Sequence, residues 1–188
     1  MQVGDYWDID DFLTEEEEVN VLTAKHLSGI GSLVASMKSK DLTVNTKVLV
    51  PYWLAVIWTQ RSLAVLEIPK FYKEAYRESL RADPDILRLA DKSRYFFELG
   101  TKLAILLADH DLNPVLYSAF MSRFKYIVTH FHHTATTSFM RSLTQLELKL
   151  LDLARSGNEM LKRWRERRTE LIECAIPTAS GKRSRHCC

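Results

Sequence analysis

Hydrophobic and polar positions along the chain write one pattern twice between residues 48 and 76: an apolar extended run, a proline, then an aromatic-rich helix. Val48-Leu49-Val50-Pro51-Tyr52-Trp53-Leu54 is followed by Leu66-Glu67-Ile68-Pro69-Lys70-Phe71-Tyr72, the two prolines lying eighteen residues apart. Proline lacks an N–H, fixes φ near the helical value and keeps the residue before it extended. Each unit therefore reads as a strand end that turns into a helix. In the second helix Tyr72, Tyr76 and Leu80 fall four apart on one face, with Lys73, Arg77 and Glu78 turned elsewhere. Such a stripe fills either the chain's own core or the surface of a partner.

The flanking pattern completes a mainly α fold class: a small N-terminal β-containing module followed by a larger all-helical domain. Asp8 caps a short helix through Leu13, with acids in its first turn where the helix dipole favours them. Val19-Asn20-Val21-Leu22 reads as a strand, residues 28 to 46 as a Ser-, Gly- and Lys-rich loop, and 47 to 50 as a second strand. From Pro51 onward the pattern is helical. Asp83-Pro84 opens a helix whose later part, Leu103 to Leu107, is apolar on every side and so belongs at the centre. Asn113-Pro114 opens the next, striped by Leu116, Phe120, Phe124, Ile127 and Phe131. The last helix carries a seam of Phe139, Leu143, Leu146, Leu150, Leu153, Gly157, Met160 and Trp164 at alternating spacings of four and three, the period of lengthwise helix packing. Gly157 stands in that seam where a large residue belongs, marking a bend, a local break or a close backbone approach. The domains expected are a small α/β module at 1–50, a helical domain at 51–174 and an unstructured basic tail at 175–188.

The order and content of these segments resemble the GINS family, the heterotetramer of eukaryotic DNA replication, and most closely its third subunit. The residues that carry the resemblance are Leu49-Val50-Pro51-Tyr52-Trp53-Leu54-Ala55, Leu66 through Arg77, and Ala82-Asp83-Pro84. Asp8-Ile9-Asp10-Asp11-Phe12-Leu13 and Phe120-Met121-Ser122-Arg123-Phe124 extend it more weakly. It covers residues 6 to about 174; residues 175–188 match nothing in it, and the segment before Tyr6 is short. The resemblance implies a non-enzymatic subunit in the nucleus that joins three other GINS subunits and docks on the MCM ring and its RecJ-like co-factor within the replicative helicase. Contact with DNA would be indirect, and no membrane is involved. The candidate partner-facing residues are Tyr52, Trp53, Tyr72, Tyr76, Leu143, Leu146, Leu150 and Leu153.

Composition narrows the remaining choices. With 188 residues, 46% hydrophobic and 10% aromatic, the chain can bury a real core. It has no run of eighteen uncharged apolar residues, and its acidic start lacks the basic flank of a signal peptide. Cys174, Cys187 and Cys188 make no disulfide framework. The net charge of +2 conceals a polarity: residues 1–20 hold Asp5, Asp8, Asp10, Asp11 and Glu15 to Glu18 without a Lys or Arg, while 161–188 is basic. The two ends either meet charged partners or stay solvated.

Catalytic grammar is sparse. His130, His132 and His133 form the one cluster of metal-ligand type, but on a helix 130 and 133 share a face while 132 points away, and no Cys or carboxylate lies near in sequence. No phosphate-binding glycine loop and no nucleophile motif occurs, so neither metal nor cofactor is expected. Lys162-Arg163-Trp164-Arg165-Glu166-Arg167-Arg168 combines bases with an aromatic as nucleic-acid grooves do, which supports a second reading: a free-standing helical nucleic-acid-binding protein. Cations near a helix C-terminus account for the same run. Lys182 to Cys188 resembles a weak nuclear-import patch, or the prenylated end of a Rab GTPase without the GTPase.

Overall fold

The computed structural model describes residues 8–30, 41–130 and 137–166. Its elements run α1 (Ile9–Glu15), β1 (Glu18–Thr23), β2 (Lys47–Pro51), α2 (Tyr52–Gln60), β3 (Ala64–Leu66), α3 (Glu74–Ala82), α4 (Phe96–Leu107), α5 (Leu112–His130), α6 (Thr137–Ser142) and α7 (Gln145–Arg165). The expected architecture, a small sheet near the N-terminus followed by helices, is observed. The chain divides into two compact units, Met1–Arg155 and Ser156–Cys188. Of the second, the described residues are the last turns of α7.

In the first unit the three strands form an antiparallel sheet of order β2-β1-β3. Val19 pairs with Val50, and Val21 with Val48 on one side and Leu66 on the other. Alternation turns Val19, Val21 and Thr23 inward, so a one-residue slip would expose the whole set. Thr23 is buried because its hydroxyl has work there: Oγ1 donates to the Thr43 carbonyl at 2.6 Å and accepts from the Thr46 amide at 3.0 Å. That closes the chain's return into β2. Sheet and helices share one core, in which Val50, Ala55, Trp58, Tyr72, Leu80, Phe96 and Leu103 are buried.

Both prolines lie one residue earlier than the first helical position. Pro51 ends β2 and caps α2, while Pro69 precedes a short 3-10 turn, Lys70–Tyr72, and α3 begins only at Glu74. Tyr72 therefore stands in the turn, its ring centroid 4.9 Å from that of Phe96 and 4.7 Å from that of Phe71. Its hydroxyl donates to the Phe96 carbonyl at 2.6 Å. Gly100 makes room for the ring: a Cβ there would stand 2.9 Å from Tyr72 Cε1 and 2.7 Å from Leu116 Cδ1.

Four expectations need correction. Arg77, expected to turn away, is buried beside Tyr72 and donates from Nε to the Tyr72 carbonyl at 2.7 Å. Asp83-Pro84 opens no helix: Asp83 ends α3, its Oδ1 accepts from the Asp85 amide at 3.3 Å, and α4 starts only at Phe96. The cause is Arg123, whose guanidinium takes the Pro84 and Leu87 carbonyls, each at 2.8 Å, as acceptors. The segment Leu103 to Leu107 is not apolar-packed on every side, since Ile105 points outward. Finally, the seam does not lie on one last helix. Phe139 belongs to α6, Leu143 to the break after it, and the rest to α7. Phe131, His132, His133 and the tail 175–188 lie outside the described residues.

Candidate assembly surface

The break before α7 is built by a local signal, Thr144-Gln145-Leu146-Glu147. A Thr with a Glu three residues later forms a capping box, in which the Glu carboxylate reaches back to the capping residue's amide. Here Glu147 Oε2 accepts from the Thr144 amide at 2.8 Å and from its hydroxyl at 3.0 Å. The Gln145 amide donates to the Arg94 carbonyl at 2.9 Å. The start of α7 is thereby tied to the segment between α3 and α4.

Glu147 is 0% exposed and Arg123, which it faces from α7 to α5, is 4% exposed. Arg123 donates from Nε and Nη2 to the two carboxylate oxygens, the latter at 3.1 Å. With its carbonyl acceptors Pro84, Leu87 and, at 3.5 Å, Ser142, one guanidinium joins α5, the end of α6, α7 and the irregular segment before α4. Ile127, Leu143 and Leu151 pack into a small apolar cluster alongside, with Phe139 and Leu148 at its edge. Sequence reading quoted Arg123 within a motif but gave it no role. The capping box was the signal that could have marked Glu147.

The candidate partner-facing residues separate by burial. Tyr52, Tyr72 and Leu143 lie inside this chain's own core. Tyr52 donates its hydroxyl to the Lys102 carbonyl at 3.1 Å, and burial pushes that hydroxyl up to about 12. Tyr76, Leu146 and Leu150 are half-buried, Trp53 is exposed, and Leu153 is 69% exposed. Leu146 borders an open apolar cleft of about 300 Å³ between α4 and α5, lined also by Phe97, Leu116, Tyr117 and Phe120. The structure thus splits the predicted seam into an inner part that holds the fold and an outer part that faces solvent.

In the second unit, Met160, Leu161 and Trp164 are exposed on the last turns of α7, as are Lys162, Arg163 and Arg165. At Gly157 a Cβ would meet nothing within 4 Å, so no backbone among the described residues approaches it. Among the described residues no group of three His, Cys, Asp or Glu side chains has the geometry to hold a metal, and no helix is long and apolar enough to cross a membrane.

Charge around this scaffold is used internally. Lys102 of α4 bridges Asp11 and Glu15 of α1 at 2.6 and 2.9 Å, and Lys149 of α7 pairs with Asp10. Burial disfavours the Lys102 charge, yet the two carboxylates outweigh it and raise its pKa. Arg77 grips Asp109 with both terminal nitrogens, and its hydrogen bond holds the Asp109 carboxyl below the ordinary value of 3.8. Glu98 is the opposite case. Its Oε2 is buried without a hydrogen-bond partner among the described residues, and burial, followed by the charges of Glu147 and Asp8, raises its pKa above 4.5.

These two carboxyls act at different pH. A raised folded pKa means the folded state binds the proton first, so stability increases as pH falls from neutral toward 4.5. A lowered one means the folded state resists protonation, so stability is lost as pH falls below 3.8. Thermal unfolding between pH 7 and 3 is expected to show a maximum in the acid range. Glu98→Gln should flatten the rise on its neutral side and raise stability at pH 7. Asp109→Asn should reduce the fall on its acid side.

The comparisons agree with this geometry. A family model described as the PSF3 N-terminal domain matches residues 7–59, the span from α1 to α2. Over 171 residues the chain is 24% identical to the probable DNA replication complex GINS protein PSF3 of Dictyostelium discoideum, covering 89% of this chain but 64% of that one. The GINS protein psf3 of Aspergillus fumigatus is 24% identical over 85% of this chain and 95% of its own. The Homo sapiens PSF3 is 24% identical over 83% and 78%. The chain spans just under two thirds of the Dictyostelium relative and most of the other two. A small three-stranded sheet leads into a helical body, the PSF3 N-terminal domain model spans two of its three strands, and the likeness runs along most of the length: this chain is similar to the GINS PSF3 proteins of several eukaryotes.

Proposed function

We propose that the chain is a non-enzymatic structural subunit of a GINS heterotetramer, acting in the nucleus with the MCM ring and its RecJ-like co-factor in the replicative helicase. In this reading ATP hydrolysis lies in the MCM subunits and the chain is a brace between partners. The observation that carries it is similarity to PSF3 along most of the chain. It is supported by the outward leucines of α7 and the apolar cleft beside Leu146, which suit a partner helix. The domain organisation proposed is a β-containing module at 1–50 whose sheet is completed by β3, a helical domain at 51–174 and a basic tail.

Co-expression with the three other GINS subunits tests this. The expected product is a complex containing all four chains on size-exclusion chromatography. Leu150→Asp with Leu153→Asp should prevent it: burying a leucine contributes about 1.5–3 kcal/mol, so two losses weaken association at least about a hundredfold. An intact complex carrying both changes would rule out the α7 surface. The second reading, a free-standing nucleic-acid binder, draws on the exposed Trp164 among Lys162, Arg163 and Arg165. It would be favoured if the chain alone were monodisperse and bound oligonucleotides with steep salt dependence.

A further inference from the structure

Helix α1 faces the wrong way for an ordinary surface helix. At 100° per residue Ile9, Phe12, Leu13 and Glu16 share one side, and Asp10, Asp11, Thr14 and Glu15 the other. The polar side is the one turned toward the protein. Thr14 is fully buried and donates to the Asp10 carbonyl at 2.7 Å, while Asp10, Asp11 and Glu15 pair with Lys149 and Lys102. The apolar side is left in solvent, with Ile9 71%, Phe12 57% and Leu13 45% exposed. Asp8, Glu16 and Glu18, all exposed, stand at its two ends.

These ion pairs hold the polar side of α1 against the body of the protein, with Asp11, Glu15 and Lys149 still partly exposed, and reversing the helix would have buried the three apolar side chains instead. From this placement we infer that the Ile9-Phe12-Leu13 face is a docking surface for a different protein chain, one that presents an apolar helix stripe flanked by Lys or Arg. The flanking charge is argued from the acidic ends of the patch, which favour a basic partner. The same acids oppose nucleic acid and anionic lipid. A second copy of this chain would have to bring its basic α7 end onto α1, a head-to-tail contact rather than the self-complementary one of the commonest dimers, and is disfavoured on that ground. The inference goes beyond the assembly proposed above, since α1 alone carries it, and it holds or fails independently of entry into GINS.

The test is site-specific photo-cross-linking of the full chain in cells, with p-benzoylphenylalanine replacing Phe12 or, as a control, the exposed Lys92, and mass spectrometry of the adducts. Position 12 should cross-link at least about tenfold more than position 92, to a segment of another protein whose apolar residues recur every three or four positions with Lys or Arg beside them. Leu13→Asp should cut that yield at least about tenfold without changing thermal unfolding. Adducts within this chain or to a second copy, to an acidic segment, to lipid or to nucleic acid would overturn the inference. So would equal yields at the two positions, a yield insensitive to Leu13→Asp, or a fall in melting temperature with that substitution, which would make the face part of the chain's own core.

Discussion

Arg123→Ala is expected to destabilise the chain by about 3–5 kcal/mol, the range for removing one partner of a buried ion pair. The magnitude follows from what is left behind. Glu147 is fully buried, and without the guanidinium its charge keeps only the Thr144 amide and hydroxyl as donors. The Pro84 and Leu87 carbonyls lose their donor as well, and each unsatisfied buried group costs about 1–3 kcal/mol. Against a total stability of about 5–15 kcal/mol for a folded protein, the variant stands near the edge of folding. At about 2–4 °C per kcal/mol for a chain of this size, the melting temperature should fall by about 6–20 °C. Arg123→Met combined with Glu147→Leu should recover the part due to the unpaired carboxylate, because an apolar pair carries no charge to desolvate, but not the part due to the Pro84 and Leu87 carbonyls and the uncapped Thr144 amide. A loss under about 1 kcal/mol in chemical denaturation of the single variant would show that the pair does not organise the start of α7.

How much of this was legible beforehand depends on whether the deciding partner was local. The Asp8 cap, the inward valines of β1 and the strand-to-proline turn at Pro51 were all readable because their causes lie within a few residues. Asp83-Pro84 was misread because the same dipeptide serves a helix start and a turn. What decides between them is Arg123, far along the chain. The break at Leu143-Thr144 was hidden by an apolar spacing that continues through it, although the Thr-x-x-Glu signal was present. The sequence left open whether the acids of α1 meet charged partners or stay solvated, because their counter-charges, Lys102 and Lys149, are distant along the chain. Burial of Tyr52, Tyr72 and Leu143 had the same cause: periodicity gives the face of a helix, and only the packed neighbours determine whether that face meets this chain or another.

Tyr72 makes that distinction measurable. As a partner-facing residue it would tolerate truncation in the isolated chain and lose only association. As a residue with no exposed surface, enclosed by Phe71, Phe96 and the bare backbone of Gly100, it should not. Removing a buried aromatic ring costs about 3–5 kcal/mol through lost transfer energy and the cavity left behind. Tyr72→Ala is therefore expected to unfold the chain at a denaturant concentration well below that of the wild type. Tyr72→Phe keeps the ring and deletes only the hydroxyl that donates to the Phe96 carbonyl. That carbonyl sits in the first turn of α4 and retains its helical role, so the expected cost is about 0.5–1.5 kcal/mol. The two substitutions separate packing from hydrogen bonding at one site. A Tyr72→Ala chain as stable as the wild type, yet unable to join the other subunits, would return Tyr72 to the surface of an interface.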